Sequence, residues 1–116
     1  MAGKICHIEI AVTDMAAARE FYGKLFGWTF PMAGDEYSIF KTPDGQGGGM
    51  ELREKAPPDG AVTLYIVVDD IPASLAAIVK AGGKVEKAKT EIGGGYGFMA
   101  LFRDPCGNRM AIWSIA

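Results

Sequence analysis

The feature that most constrains this chain is an internal repeat. The stretch "HIEIAVTDMAAAREFYGKLFGW", from His7, superposes on "TLYIVVDDIPASLAAIVKAGGK", from Thr63. Ile8 falls on Leu64, Ile10 on Ile66, Val12 on Val68 and Asp14 on Asp70. Further on, "YSIFKTPDGQ" aligns with "MALFRDPCGN", Pro43 falling on Pro105. Self-similarity at this spacing means one supersecondary unit built twice, and it sets topology before any single residue does. Each half reads strand, helix, then two or three strands joined by a Pro-x-Gly turn. The expected fold is α+β, two tandem βαβββ units at approximately 4–54 and 61–116, in one domain of 116 residues. The intervening "KAPPDG", 55–60, has linker composition.

Local signals agree with this division. Asp14 is an N-cap, its carboxylate accepting from the first turn, and Gly27 is the matching stop. Between them Ala18, Phe21, Tyr22 and Leu25 fall at helical spacing. In the second half Asp69 or Asp70 caps the helix and Pro72 sits in its first turn. Leu75, Ile78 and Val79 form the expected buried stripe, ended by Gly82-Gly83. The runs Gly47–Gly49 and Gly93–Gly95 follow no strand-to-helix turn and lack a trailing Lys-Ser/Thr. They read as flexible hairpins or loops, not phosphate cradles. Phe21, Tyr22, Phe26, Trp28, Phe40 and Phe102 are assigned to core and interface.

Composition narrows the function classes. The formal net charge is −2, with Lys and Arg scattered, so nucleic acid is not an expected partner. No apolar run approaches the ~20 residues that span a bilayer. The start, "MAGKICHIEIAV", is broken by Lys4, His7 and Glu9 and makes a poor signal peptide. Cys6, read inside the first strand, and Cys106, in a turn, form no Cys-x-x-Cys pair. Both are expected to be reduced packing residues of a cytoplasmic protein.

Strand alternation then sorts the side chains. "CHIEIAV" puts Ile8, Ile10 and Val12 on one face and His7, Glu9 and Ala11 on the other. His7 is the only histidine of the chain. The equivalent strand separates Leu64, Ile66 and Val68 from Thr63, Tyr65 and Val67. "MELR" separates Met50 and Leu52 from Glu51 and Arg53, and the last strand separates Met110 and Ile112 from Ala111 and Trp113.

With these repeats, and with the closing "FRDPCGNRMAIW" before the last strand, the chain resembles the vicinal oxygen chelate superfamily. That group includes glyoxalase I, fosfomycin- and bleomycin-resistance proteins and extradiol dioxygenases. The resemblance runs from Ile5 to Trp113. It implies curled mixed sheets around a central cavity with helices outside, so the face carrying His7, Glu9, Glu51 and Arg53 is the inner one. Tyr65, Trp113, Tyr96 and Phe98 then supply an aromatic lining suited to a small molecule. Small relatives pair their chains, so a homodimer is expected.

The resemblance also implies ligand positions for a divalent metal (Fe, Mn, Ni or Zn) in the first and last strands of each unit. His7 and Glu51 fit in the first unit; Thr63 and Ala111 stand where the second unit needs donors and supply none. Glu9, two residues from His7 and roughly 6.6 Å along the strand at about 3.3 Å per residue, is a third possible ligand. The other reading of His7, Glu9 and Glu51 is a hydrogen-bonded or ion-paired cluster in which Arg53 partners Glu51. Two functions follow. One is a small-molecule-binding protein with an incomplete metal site. The other is a metal-dependent lyase, isomerase or dioxygenase, with Glu9 or Glu51 moving a proton. A metal-free base with a raised pKa is a variant of the second.

Overall fold

The computed structural model describes residues 5–55 and 63–116. Its elements run β1 (Ile8–Val12), α1 (Met15–Phe26), β2 (Thr29–Ala33), β3 (Tyr37–Lys41) and β4 (Gly47–Leu52). After them come β5 (Tyr65–Val67), α2 (Ile71–Lys80), β6 (Lys84–Glu91), β7 (Phe98–Arg103) and β8 (Arg109–Ser114). The chain divides into two compact units. The first holds a four-stranded sheet ordered β1-β4-β3-β2, the second a sheet ordered β5-β8-β7-β6. In both, the first strand lies parallel to the last, and the remaining pairs are antiparallel. The sequence repeat is therefore a repeat of topology. Of the expected linker, 56–60 lie outside the described residues.

The helix ends follow their caps. Asp14 accepts from Ala17 N at 3.0 Å, and Gly27 closes α1 in the left-handed region at φ 71. In the second unit Asp70, not Asp69, is the cap, accepting from Ala73 N at 2.9 Å. The stripe of α2 is centred on Ile71 and Ile78, with Leu75 half-buried between them. Val79 is 53% exposed, against expectation. Eight residues past Ile71, it lies about 80° round the helix, off the buried line.

The two Pro-x-Gly turns share one hydrogen-bond scheme. Thr42 N donates to Gln46 O at 2.9 Å, and Asp104 N donates to Asn108 O at 2.9 Å. In each, the first side chain accepts from the backbone N–H four residues on: Thr42 Oγ1 from Gln46 at 3.0 Å and Asp104 Oδ1 from Asn108 at 2.8 Å.

The core of the first unit is aromatic. Tyr22 from α1 stacks on Trp28 (centroids 4.5 Å, planes 17° apart), and Trp28 stacks on Phe40 of β3 (4.4 Å, 14°). Ile10, Val12 and Met50 complete it from β1 and β4. Ser38, buried on the same face as Phe40, is satisfied by Arg19 of α1, whose Nη1 reaches its Oγ at 2.9 Å.

Two expectations are corrected here. Gly47–Gly49 is no loop: it forms the first half of β4, a strand paired on both sides. The reason is close approach, since a Cβ at Gly48 would fall on the Phe40 ring and on the carbonyl of Ile8. Gly93–Gly95 does lie in a turn, between β6 and β7. Cys6 precedes β1 and is exposed, so packing does not account for it; Cys106 is buried in its turn.

If Phe40 needs that space, Gly48→Ala must displace the ring or the β1 backbone. The expected loss is about 1–3 kcal/mol of unfolding free energy, the usual cost of overpacking a core. Urea denaturation measures it, and a loss under about 0.5 kcal/mol contradicts the packing described.

Candidate functional site

The open face of the first sheet is built by register. Glu9 stands opposite Gly49 and Ala11 opposite Glu51 across the parallel pair β1–β4. On the other side of β4, Tyr37 stands opposite Glu51 and Ile39 opposite Gly49. Alternation thus brings Glu9, Glu51, Tyr37 and Ile39 to one face, with His7 just before β1, two residues from Glu9. The side chains of His7 and Glu9 are 45% and 46% exposed, so the face is half wet.

Tyr37 joins them, and the reading of the sequence missed it. Its phenol donates to Glu9 Oε2 at 3.0 Å and meets His7 Nε2 at 2.9 Å. Because the single phenolic proton goes to Glu9, this contact calls for His7 to donate from Nε2 to the phenol oxygen. His7 Nε2 and Glu9 Oε2 are 4.0 Å apart, with the phenol between them. The available signal was "YSIFK": alternation puts Tyr37 on the face opposite the buried Phe40. Partial burial, the hydrogen bond to Glu9, and the charges of Glu9 and then Glu51 all push the phenol pKa above its usual 10.0. Arg53 does partner Glu51, as expected, at 3.4 Å. Both side chains are substantially exposed, so the pair contributes about 0.2–1 kcal/mol at most.

The second unit presents a different face. Tyr65 stands opposite Ala111, Val67 opposite Trp113, and Met99 opposite Trp113. Tyr65 and Val67 are exposed, Trp113 and Thr63 half-buried, Ala111 fully buried. Trp113 Nε1 donates to Tyr96 O at 2.7 Å, tethering the Tyr96 backbone beside it. Phe98 is a correction: it pairs with Ser114, on the face of Ala100, Phe102 and Ile112, not with Trp113. The Lys89 ammonium lies 4.6 Å over its ring. Met99 holds the position expected of Phe98. At the far end of this face Glu86 bridges Arg103 at 2.7 Å and Arg109 at 3.1 Å.

The implied metal fits this arrangement poorly. Thr63 stands two residues before Tyr65, which faces Ala111, as His7 stands two residues before Glu9, which faces Gly49. Gly49, not Glu51, is thus the register counterpart of Ala111, and Glu51 matches Trp113. Glu51 lies one pleat further along β4, beside Arg53. Among the described residues, no three His, Cys, Asp or Glu side chains are grouped to hold a metal ion. The space between His7 and Glu9 belongs to the Tyr37 phenol, and the distances are those of hydrogen bonds.

Comparisons with known proteins bear on the same elements. The sequence profile of the Glyoxalase/Bleomycin resistance protein/Dioxygenase superfamily matches residues 4–112. A glyoxylase-like domain-containing protein of Didymella fabae is 34% identical over 119 residues, covering 95% of this chain and 92% of that protein. CFP32 of Mycobacterium tuberculosis, named as a glyoxylase, is 30% identical over 114 residues, and the chain spans 43% of its length. The anthracycline biosynthesis protein DnrV of Streptomyces peucetius is 31% identical over 124 residues, and the chain spans 44% of it. Among solved structures, the fosfomycin resistance protein FosX of Listeria monocytogenes superposes with a TM-score of 0.78 at 14% identity, covering 97% of this chain and 93% of that one. At that identity the likeness is one of fold. Among the described residues, no helix is long and apolar enough to cross a membrane.

The raised phenol pKa has a measurable consequence. The fold favours neutral Tyr37, so its contribution to stability is complete below the unfolded value of about 10 and is lost as pH climbs through the higher folded value. Tyrosinate absorbance of the native protein is expected to include a phenol titrating above 10 that Glu9→Gln moves down and Tyr37→Phe removes. A titration curve unchanged by Glu9→Gln contradicts the assigned hydrogen bond.

Proposed function

Because this chain belongs to the Glyoxalase/Bleomycin resistance protein/Dioxygenase superfamily, we propose that it binds a small organic molecule on the open face of its first sheet. The observation that carries this reading is the linked trio of His7, Tyr37 and Glu9. Three hydrogen-bonding side chains stand joined on an accessible face instead of being spent inside the core. Glu51 adds a second carboxylate on the same face, one pleat from Glu9. The exposed Met32 and Ile39, on paired strands, supply apolar surface. A few convergent polar groups among apolar ones are what a small-molecule site needs. The carboxylates of Glu9 and Glu51 are acceptors, so the matching ligand carries hydroxyl or ammonium groups.

The names of the relatives support the same class. One is named for anthracycline biosynthesis, another for fosfomycin resistance, and both names concern small organic molecules. The chain spans less than half of DnrV, so any contribution of further chain is outside this proposal. Arg53 is a further candidate contact on this face; Tyr65, Trp113, Tyr96 and Thr63 are candidate ligand contacts of the second unit's own sheet, taken by itself. A two-fold homodimer in a cytoplasmic setting completes the reading. The metal-dependent lyase, isomerase or dioxygenase is not favoured, because Tyr37 stands where His7 and Glu9 would share an ion.

A thermal-shift screen of small aromatic compounds bearing hydroxyl or ammonium groups, with carboxylated analogues as charge controls, tests the proposal. A ligand at 100 times its Kd adds about 2.7 kcal/mol of stability, several degrees for a chain of this size. Glu9→Gln and Glu51→Gln are each expected to weaken binding of an ammonium ligand roughly tenfold, the loss of one charge-assisted hydrogen bond. No shift from any compound, or shifts indifferent to both substitutions, removes the reading.

A further inference from the structure

We propose that in the first unit the Tyr37 phenol is a built-in replacement for a bound cation, and that Gly49 is the residue that makes room for it. This goes beyond ligand binding, since it concerns what holds His7 and Glu9 and stands whatever organic molecule the face accepts.

Three observations converge. The phenol oxygen lies 2.9 Å from His7 Nε2 and 3.0 Å from Glu9 Oε2, against about 2.0–2.2 Å for nitrogen and oxygen ligands of a zinc-like ion. It therefore does by hydrogen bonding what a cation does by coordination, ordering an imidazole and a carboxylate about one centre. Second, a Cβ built at Gly49 would fall on the Tyr37 hydroxyl and ring. The ring reaches this place from β3, where its backbone faces Glu51, by leaning diagonally across Gly49. Any side chain at 49 evicts it. Third, Gly49 has the register of Ala111, so neither unit places a donor at this position of its last strand. In the second unit the residue is a methyl group, buried. In the first it is nothing, and the vacated space is filled from the neighbouring strand. Tyr37 and Gly49 are one device.

The chemistry that follows is a proton-ordered chain, His7 Nε2–H to phenol O–H to Glu9. A cation would repel the imidazole proton, whereas the phenol requires it. The chain's single histidine makes this directly readable. In uniformly 15N-labelled protein at a pH where the ring is neutral, the imidazole is expected as the Nε2–H tautomer, and Tyr37→Phe shifts the tautomer population. An Nδ1–H tautomer in the unsubstituted protein overturns the proposal, as does a population that Tyr37→Phe leaves unmoved.

The second measurement is a gain of binding. Calorimetric titration with Ni²⁺ and Zn²⁺ alone, after chelator treatment, is run on the wild type, Gly49→Glu, and the double variant Tyr37→Ala/Gly49→Glu. Removing the phenol and adding a carboxylate is expected to tighten binding at least about tenfold, with the gain lost on adding His7→Ala. Gly49→Glu alone is expected to lower the melting temperature and gain no affinity. Micromolar binding by the wild type that His7→Ala abolishes overturns the proposal. So does a double variant with a native circular dichroism spectrum that binds no better than wild type. Should the double variant not fold, the tautomer measurement decides alone.

Discussion

Two adjacent residues without side chains, Gly48 and Gly49, let β3 lay an aromatic ring on each face of β4. Phe40 crosses Gly48 on the helix side, where it ends the stack running through Trp28 to Tyr22 of α1. Tyr37 crosses Gly49 on the open side, where it gathers His7 and Glu9. Cross-strand pairs are the unit of sheet stabilisation, and an aromatic ring over a strand glycine covers backbone that would otherwise be left bare. The core of the first unit and its polar face are thus set from one strand, in consecutive residues. A side chain added at either position disturbs one of them.

Set position against position, the second unit shows what the duplication kept and what it gave up. Strand order, parallel first pair and turn hydrogen bonds are the same. Phe102 faces Met110 as Phe40 faces Gly48, so the buried face keeps its aromatic but not its glycine. Met99 faces Trp113 as Tyr37 faces Glu51. The trio of His7, Tyr37 and Glu9 thereby corresponds to Thr63, Met99 and Tyr65, with no imidazole or carboxylate among them. One scaffold carries a hydrogen-bonding face and an aromatic face, because the face away from the helix is free to change while the buried one is held by packing.

Much of this was legible, and the boundary of legibility is physical. Alternation sorted Ile10 and Val12 from Glu9, and Met50 from Glu51, because large side chains announce their face. Asp14, Gly27 and Pro72 announced helix ends through local backbone chemistry that needs no tertiary knowledge. Gly47–Gly49 misled for the converse reason: glycine has no side chain to alternate, so a strand built on it looks like a loop. Phe98 went to the wrong face because β6 and β7 pair with register shifts and the turn between them hides where the pleat of β7 starts. Tyr37 was visible as an alternating residue but not as a partner of His7 and Glu9. That contact joins residues about thirty apart through strand β4, which pairs with both their strands, and periodicity carries no such information. The match of Glu51 with Ala111 failed on a single pleat.

Energetics separate the two glycines. A glycine inside a strand costs about 0.5–1 kcal/mol relative to alanine, through the freedom it loses on folding. At Gly48 a fully buried Phe40 offsets this, worth about 1.5–3 kcal/mol against leaving it in water. At Gly49 the return is two hydrogen bonds on a half-exposed face, each worth about 0.5–1.5 kcal/mol net where no water competes, and less where it does. Gly49 therefore returns less to stability than Gly48 does, although a Cβ there would still collide with the Tyr37 ring. A residue that breaks a local rule without a packing gain marks a functional position more often than a structural one. On the proposed reading, the trio at His7, Tyr37 and Glu9 is what Gly49 makes room for, while the Phe40, Trp28 and Tyr22 stack occupies the other face of the same sheet.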